Sequence, residues 1–376
     1  MNIADMLQLK SSEAFFGDGR FGVRLLEEIL NTPTVSGIQE RLLIEKLRSI
    51  LAGLGCKNEM IGDCLVAVKE GNQDGSVLID VHVDTVGFAV NHIGDGVVHV
   101  MPMGGITPSA AVTNYVTIHT RNGQVPGIIG YTPPHLKGSG GDDKKAVEQG
   151  DLFVIPQGTD EQNNAIGVGD PVEIVSPFSL TDTWIRGLGV DDGIGVWQVL
   201  NLLAMTADST ATYPTIIVSF STQEEVGAHG TERVLPGIIQ KYEPDIAIVL
   251  DCTSSTAIPG VKKELAGDIG LDGPAITFRD HGTVYDRQLT DFVLCVARQL
   301  GIRHYPRMTQ FGGTDGMKLT QVAGGRRTVS ISTPSLNIHS MSASVKKKAT
   351  YLTLLLLAGL LFHKETWLGF YGIATS

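Results

Sequence analysis

The sequence predicts an α/β fold in which helices sandwich a mixed, mostly parallel sheet. Short runs that are almost continuously apolar and rich in Val and Ile are typical of central strands covered on both faces. Such runs occur at 76–82, 214–221, 246–250 and 328–332. Stretches with helical spacing of apolar residues alternate with these runs. Between residues 88 and 176 the pattern changes to short alternating segments split by glycine and proline, which indicates an inserted small β-rich domain.

Helical periodicity is clearest in four stretches, and a fifth, more apolar stretch closes the chain. Before one of these predicted helices, Ser36 and Gln39 have the spacing of a capping box. The run YLTLLLLAGLLF is shorter than the ~20 residues that span a bilayer, so we expect a buried C-terminal helix. The four periodic stretches are 20–31, 38–54, 194–204 and 289–300.

Composition argues against several function classes. The net charge is −11 and no basic block of useful length is present, which argues against a nucleic-acid or anionic-membrane partner. The N-terminus lacks the charged and apolar regions of a signal peptide. The four cysteines form no CxxC motif. We therefore expect reduced thiols in a cytoplasmic protein.

Side chains that suit metal coordination lie beside the predicted strands. Hard or borderline nitrogen and oxygen donors of this kind suit two zinc- or cobalt-type ions held side by side. Positions at the carboxyl ends of strands are where open α/β sheets usually carry active sites. The pattern predicts a binuclear metallohydrolase. Its five candidate ligands are His82, Asp191, Glu225, Asp251 and His339.

Residues next to these ligands strengthen the prediction. Asp84 can accept the second ring proton of His82 and fix the imidazole tautomer. Glu224 and Glu225 are adjacent carboxylates at the end of a predicted strand, where they repel one another unless a cation compensates. Taken singly, each signal has a structural alternative: a core histidine, an ordinary loop pair or solvated carboxylates.

The motifs together resemble a known enzyme family. In the family's order they extend from near residue 33 to residue 345, and the predicted insertion falls between His82 and Asp191. The resemblance is to binuclear aminopeptidases, a family that includes tetrahedral archaeal, glutamyl and deblocking enzymes. Thr85 and Gly193 depart from it, since the family usually has an acidic residue and an arginine there. The motifs are HVDTVGF, GIIGYTPPHL, GLGVDDGIGVW, STQEEVGAHGT, IVLDCT, GGTDG and NIHS.

This resemblance implies roles for the site residues. It implies that His82 and Asp251 hold one metal ion, that Glu225 and His339 hold the other, and that Asp191 bridges them. It also implies a cis peptide bond after Asp191. Glu224 would then act as general acid and base on the bridging water. The implied substrate-facing loop comprises Gly312, Gly313, Thr314 and Asp315.

The resemblance also implies a domain organisation. Residues 1–87 and 177–376 would form the catalytic metallopeptidase domain, and residues 88–176 an inserted β-rich dimerisation domain. Dimer-based homo-oligomers such as a hollow dodecamer would follow. We treat His135, in the insertion, as a structural or interface residue.

Three functions remain open at this point. The first is a metalloaminopeptidase that removes N-terminal residues from peptides. The second is a binuclear metal hydrolase that acts on another amide or on a glycan-derived substrate. The third is a metal-binding or assembly protein that has lost catalysis. Glu224 beside all five ligands argues against the third, because a scaffold has no need of a base.

Overall fold

The structure is a computed structural model of the chain and describes residues 16–17, 22–133, 146–207 and 212–375. It confirms the predicted fold class, with helices around a mixed sheet and a small closed β-barrel inserted between strands of that sheet. His135 lies outside the described residues.

The first part of the chain builds one side of the main sheet. The predicted capping box before the second helix is wrong: that helix begins after Glu40 without a side-chain cap. The Ser36 hydroxyl instead donates to the Asp84 carboxylate at 2.7 Å, because the chain folds back onto the third strand. The elements are α1 (Val23–Leu30), α2 (Arg41–Gly53), β1 (Lys57–Ile61), β2 (Cys64–Lys69) and β3 (Ser76–His82).

The next strands close a barrel with antiparallel pairing throughout. The elements are β4 (Gly87–Gly94), β5 (Val97–Met103), α3 (Pro108–Ala111), β6 (Tyr115–Thr120), β7 (Gly123–Tyr131), β8 (Leu152–Pro156), α4 (Asp160–Asn164) and β9 (Pro171–Ile174). The strand order is β4-β5-β8-β7-β6-β9, and β9 pairs back with β4. Alternate residues such as Phe88, Ile118 and Val154 fill the interior.

After the barrel, strands and helices alternate to the end of the described chain. The elements are β10 (Ser179–Leu180), β11 (Trp184–Arg186), α5 (Val190–Met205), β12 (Thr215–Ser221), α6 (His229–Tyr242), β13 (Ile246–Ser254), α7 (Lys263–Ala266), β14 (Ala275–Arg279), α8 (Arg287–Gln299), β15 (Tyr305–Met308), α9 (Gly316–Gln321), β16 (Arg327–Leu336), β17 (Ser344–Lys346), α10 (Lys347–Leu361) and α11 (Lys364–Thr375).

Within the described residues the main sheet has 11 strands, in the order β1-β2-β12-β3-β13-β16-β17-β11-β10, with β14 and β15 branching from β16. The four strands β12, β3, β13 and β16 are parallel, and antiparallel strands flank them. Ile79 and Ile248 pack on one face of this centre, and Leu78 and Ala247 on the other. Burial on both faces explains why the central strands are almost continuously apolar.

The apolar C-terminal run forms α10, whose leucines, apart from the half-buried Leu352, are buried in the main core as predicted. This helix has 15 residues. Nowhere in the described chain is a helix both long and apolar enough to cross a membrane.

Candidate active site

The fold brings all five predicted ligands to one edge of the sheet. His82 is the last residue of β3, and Glu225 and His339 follow β12 and β16. Asp251 lies within β13, which continues beyond the predicted end of that strand, and Asp191 lies in the first turn of α5. Because the central strands are parallel, their carboxyl ends meet at this edge.

Asp191 stands between the two histidines. Its Oδ1 lies 3.3 Å from His82 Nε2, and its Oδ2 lies 3.3 Å from His339 Nε2. The same histidine nitrogens lie 3.7 Å from Asp251 Oδ1 and 3.2 Å from Glu225 Oε2. The peptide bond after Asp191 is cis, as the resemblance implies.

The protein's own charges leave this cluster poorly balanced. Burial raises the pKa of Glu225 to about 8 and that of Asp251 to about 7. Burial favours a neutral His339, but hydrogen bonding to Asp191 and the charge of Glu225 outweigh it and raise its pKa to about 10. Burial would also raise the pKa of Asp191, yet the neighbouring imidazoles of His339 and His82 lower it. A divalent cation would stabilise such buried carboxylates in their charged form.

The donors fit two cations that share Asp191. Two groups of side chains, His82 with Asp191 and Asp251, and Asp191 with Glu225 and His339, each have ligand atoms within 4.8 Å of one another. Among the described residues, Asp191 Oδ1 is a buried oxygen without a hydrogen-bond partner. Imidazole nitrogens and carboxylate oxygens are ligands that zinc and cobalt accept. These residues therefore have donor chemistry that suits metal binding.

Cys252 also approaches this cluster, in a group with Asp191 and Asp192. Its thiol donates to the carbonyl oxygen of Val190 at 3.3 Å. Burial raises the pKa of the Cys252 thiol well above its usual value. Cys252 therefore places a neutral thiol, whose hydrogen is engaged by the Val190 carbonyl, beside the candidate ligands.

Asp84 supports the site differently from the prediction. The His82 Nδ1 atom lies 3.0 Å from the backbone carbonyl oxygen of Asp84, whereas its carboxylate oxygen is 3.6 Å away. The carboxylate accepts hydrogen bonds from the backbone N–H groups of Glu224 and Glu225, both at 3.1 Å, and from Ser36. Asp84 thus orients the imidazole through its carbonyl and holds the glutamate pair through its carboxylate, so it is a positioning residue.

The side chains of the adjacent residues Glu224 and Glu225 lie in different surroundings. Glu225 turns toward His339, and its side chain is 4% exposed. Glu224 lines a cavity that opens beside the candidate ligands. Burial there raises the pKa of its carboxyl group well above the usual value. A carboxyl group with a raised pKa inside a reaction cavity is suited to accept and return a proton near neutral pH.

The barrel contributes to the site as well. His339 Nδ1 lies 3.0 Å from the carbonyl oxygen of Gly105, just beyond β5. A Cβ atom on Gly105 would lie 3.1 Å from the same nitrogen. On Gly104, whose φ is +96°, it would lie 2.7 Å from Val86 Cγ1 and 3.2 Å from Glu225 Cβ. In the sequence this glycine pair has the pattern of an ordinary turn, so nothing local indicates its place in the site.

A cavity of about 420 Å³ opens beside the candidate ligands. Gly313 and Thr314 of the predicted substrate loop line it, although the Thr314 hydroxyl is 2.7 Å from the buried Tyr285 hydroxyl. Asp315 does not line the cavity: it is 2% exposed and accepts a hydrogen bond from Ser221 behind the wall. Cavity-lining residues that sequence analysis did not identify include His281, Arg307 and Phe311.

The two departures from the family pattern lie at the edge of this site. Thr85 is tied by its backbone to the segment before α2, where its carbonyl oxygen accepts from the N–H of Ser36. A Cβ atom on Gly193 would lie 2.7 Å from Leu30 Cδ2, so α1 packs where a larger side chain would begin. The close packing of α1 leaves no room for an arginine in this arrangement.

Comparison with known proteins identifies the family of this chain. The family described as M42 glutamyl aminopeptidase matches residues 63–354. The chain belongs to this family. It is 26% identical to the lysyl aminopeptidase of Pyrococcus furiosus over 333 residues, covering 84% of this chain and 90% of that protein.

Solved structures show the same fold. A TET aminopeptidase from the marine sediment archaeon Thaumarchaeota archaeon SCGC AB-539-E09 has a TM-score of 0.84 at 26% identity, over 93% of this chain and 98% of that one. The TET1 peptidase of Pyrococcus horikoshii has a TM-score of 0.76 at 24% identity, over 91% and 99%. The chain is therefore a peptidase of a metal-dependent family, and its membership supports aminopeptidase activity on peptides.

The role of Asp84 can be tested with Asp84→Asn. The amide replaces one acceptor oxygen with a donor that faces a backbone N–H, so we expect the free energy of unfolding to fall by about 1–3 kcal/mol. Denaturant titration measures this loss. Asp63→Asn is the control, because that carboxylate accepts from Gln223 in the same turn but is 40% exposed. Equal, small effects in both variants would contradict the positioning role.

Proposed function

We propose that this chain removes N-terminal residues from peptides with the help of two divalent metal ions, zinc or cobalt. The observation that carries the proposal is the central position of Asp191, whose two oxygens each lie 3.3 Å from a different histidine. In this assignment His82 and Asp251 hold one ion, and Glu225 and His339 hold the other. Together the ions would polarise the scissile carbonyl and lower the pKa of the attacking water.

The chain's own residues supply the proton transfer. Glu224 lines the cavity beside the proposed ligands and is not itself needed to complete either donor group. It accepts the proton of the attacking water and later donates it to the leaving amine. Asp84 holds the backbone of Glu224 in place through its carboxylate. His82 keeps its Nε2 directed at the carboxylates because its Nδ1 atom bonds to the carbonyl of Asp84.

A substrate panel tests the proposal directly. Aminoacyl-anilides should be hydrolysed after addition of cobalt or zinc, and peptides with a free amine should be cleaved while N-acetylated ones are spared. Equal cleavage of acetylated and free peptides would remove the aminopeptidase assignment. Hydrolysis of a glycan-derived substrate without peptide cleavage would favour the alternative hydrolase function.

Glu224→Gln should separate catalysis from metal binding. We expect both ions to remain bound while kcat falls by the ~10²–10⁴-fold typical of a lost general base. Elemental analysis and kcat are measured on the same preparation. An unchanged kcat would refute the role of Glu224, and loss of metal would mean that Glu224, not Glu225, is the ligand.

Asp191→Asn and His339→Ala should give different metal defects. A bridging carboxylate contributes to two ions and a terminal imidazole to one, so the first variant should lose both ions and the second mainly one. Cobalt titration followed by visible absorption distinguishes these outcomes. The same stoichiometric loss in both variants at one cobalt concentration would contradict the bridging role.

We further propose that the barrel, within residues 88–176, is a dimerisation domain for a larger homo-oligomer. Tyr115, Ile128 and Ile155 are direct neighbours across β6, β7 and β8 and form an apolar row on its outer face. Tyr115 is 63% exposed and Ile155 is 45% exposed. An exposed apolar row of this kind suits a protein interface. The Pyrococcus horikoshii TET1 peptidase can assemble into a tetrahedron or a large octahedral shell, and a dodecamer is the form we expect here.

Tyr115→Asp tests this assembly without deleting the barrel. A charge placed in the apolar row should convert the oligomer into a smaller species, which light scattering or analytical ultracentrifugation detects. Gln124→Asp, at an exposed polar position on β7, is the control and should leave the size unchanged. A monomeric wild-type protein would remove the assembly proposal.

A further inference from the structure

Arg307 is a buried cation in the wall of the active-site cavity. It extends from β15 and is only 6% exposed, yet it lines the same cavity as Glu224 and Asp251. On β15 buried and exposed residues alternate, and Arg307 takes an inward position beside Tyr305. A charged side chain on the inner face of a strand is costly unless something balances it.

No carboxylate in the described part of the chain forms an ion pair with this guanidinium within 4.0 Å. Asp280 and Asp251 act on Arg307 only from a longer distance, and burial lowers the pKa of the guanidinium. Asp280 already accepts hydrogen bonds from the Tyr285 hydroxyl and from the N–H groups of Gly282 and Thr283. The positive charge of Arg307 is therefore uncompensated by a close partner.

The guanidinium is held in place but keeps donors to spare. One terminal nitrogen donates to the carbonyl oxygen of Phe311 at 3.1 Å, and the other lies 3.5 Å from the Thr277 hydroxyl. An arginine has five N–H donors, so these contacts leave several unused. The Nε atom makes no hydrogen bond within the described residues, yet it is not among the fully buried atoms without a partner. This donor therefore keeps some exposure, and the side chain lines the cavity.

We infer that Arg307 is a specificity-determining residue that pairs with a carboxylate of the bound peptide. This inference rests on the proposed aminopeptidase function. A fixed, water-poor guanidinium forms strong paired hydrogen bonds with a carboxylate. The carboxylate has two sources, an acidic side chain on the N-terminal residue or the C-terminus of a very short peptide. A carboxylate from either source would form the same paired hydrogen bonds with the Arg307 guanidinium.

The charge distribution in the cavity supports this orientation. The candidate metal ligands and Glu224 contribute acidic groups to the lining of the cavity, and the free amine and the scissile bond of a peptide would lie beside them. Arg307 contributes a positive charge to the same lining, together with residues of the loop that follows β15. A substrate with an amine at one end and a carboxylate nearby matches both kinds of charge.

The test compares matched substrates in the metal-loaded enzyme. Glu-anilide is paired with the isosteric Gln-anilide, and a dipeptide is paired with its C-terminal amide; Leu-anilide serves as the neutral reference. The readout is the ratio of kcat/KM within each pair, which does not depend on the folded fraction of a variant. Variants are Arg307→Met and Arg307→Lys, with Arg298→Met as the control on an exposed face of α8.

In one of the two pairs, we expect the wild type to cleave the substrate with the carboxylate with a kcat/KM roughly ten- to a hundredfold higher than that of its neutral partner. Arg307→Met should reduce that ratio to about one, Arg307→Lys should keep part of it, and Arg298→Met should not change it. The pair that responds identifies the source of the carboxylate. Wild-type ratios near one in both pairs, or a preference that survives in Arg307→Met, would overturn the inference. If the wild type cleaves no substrate, Leu-anilide included, the proposed function itself fails.

Discussion

The structure depends on one electrostatic constraint: three acidic side chains, Asp191, Glu225 and Asp251, meet two imidazoles at a largely buried edge of the sheet. Buried carboxylates repel one another and resist ionisation, so such a group is stable only when its charges are balanced. Asp191 lies between His82 and His339, and each of its carboxylate oxygens approaches one of the two imidazoles. Burial, together with the nearby charge of Asp191, raises the pKa values of Glu225 and Asp251.

The surrounding fold limits how far these side chains can move. Parallel central strands bring their carboxyl ends to one edge, and the hydrogen bonds of each strand define where its last residue points. Behind them, Asp84 joins three separate segments, because it receives hydrogen bonds from Ser36, Glu224 and Glu225. In front of them, the barrel supplies Gly104 and Gly105, whose missing side chains allow close contact. The site is thus enclosed by residues from almost the whole length of the chain.

Sequence patterns predicted the central strands and the convergence of the candidate ligands, because burial on both faces leaves a continuous apolar run and ligand positions follow those runs. The patterns were weaker where a residue's partner is distant in sequence. Ser36 has the spacing of a helix cap but bonds to Asp84, since a hydroxyl serves both purposes equally well. Asp315 belongs to a loop motif but faces Ser221 inside the protein. The inward position of Arg307 depends on the alternation along β15, where the exposed residues Pro306 and Met308 are apolar and the buried Arg307 is charged, so the usual pattern is hidden.

The bond between His339 and Gly105 has a consequence for the autonomy of the two units. His339 Nδ1 is oriented by a carbonyl that belongs to the barrel side of the molecule. The sheet with its helices is therefore not a complete minimal enzyme to which the barrel was added as an accessory. Excision of the insertion would remove an orienting acceptor from the ring of His339. Any exchange or engineering of the insertion therefore has to preserve an acceptor for the His339 ring.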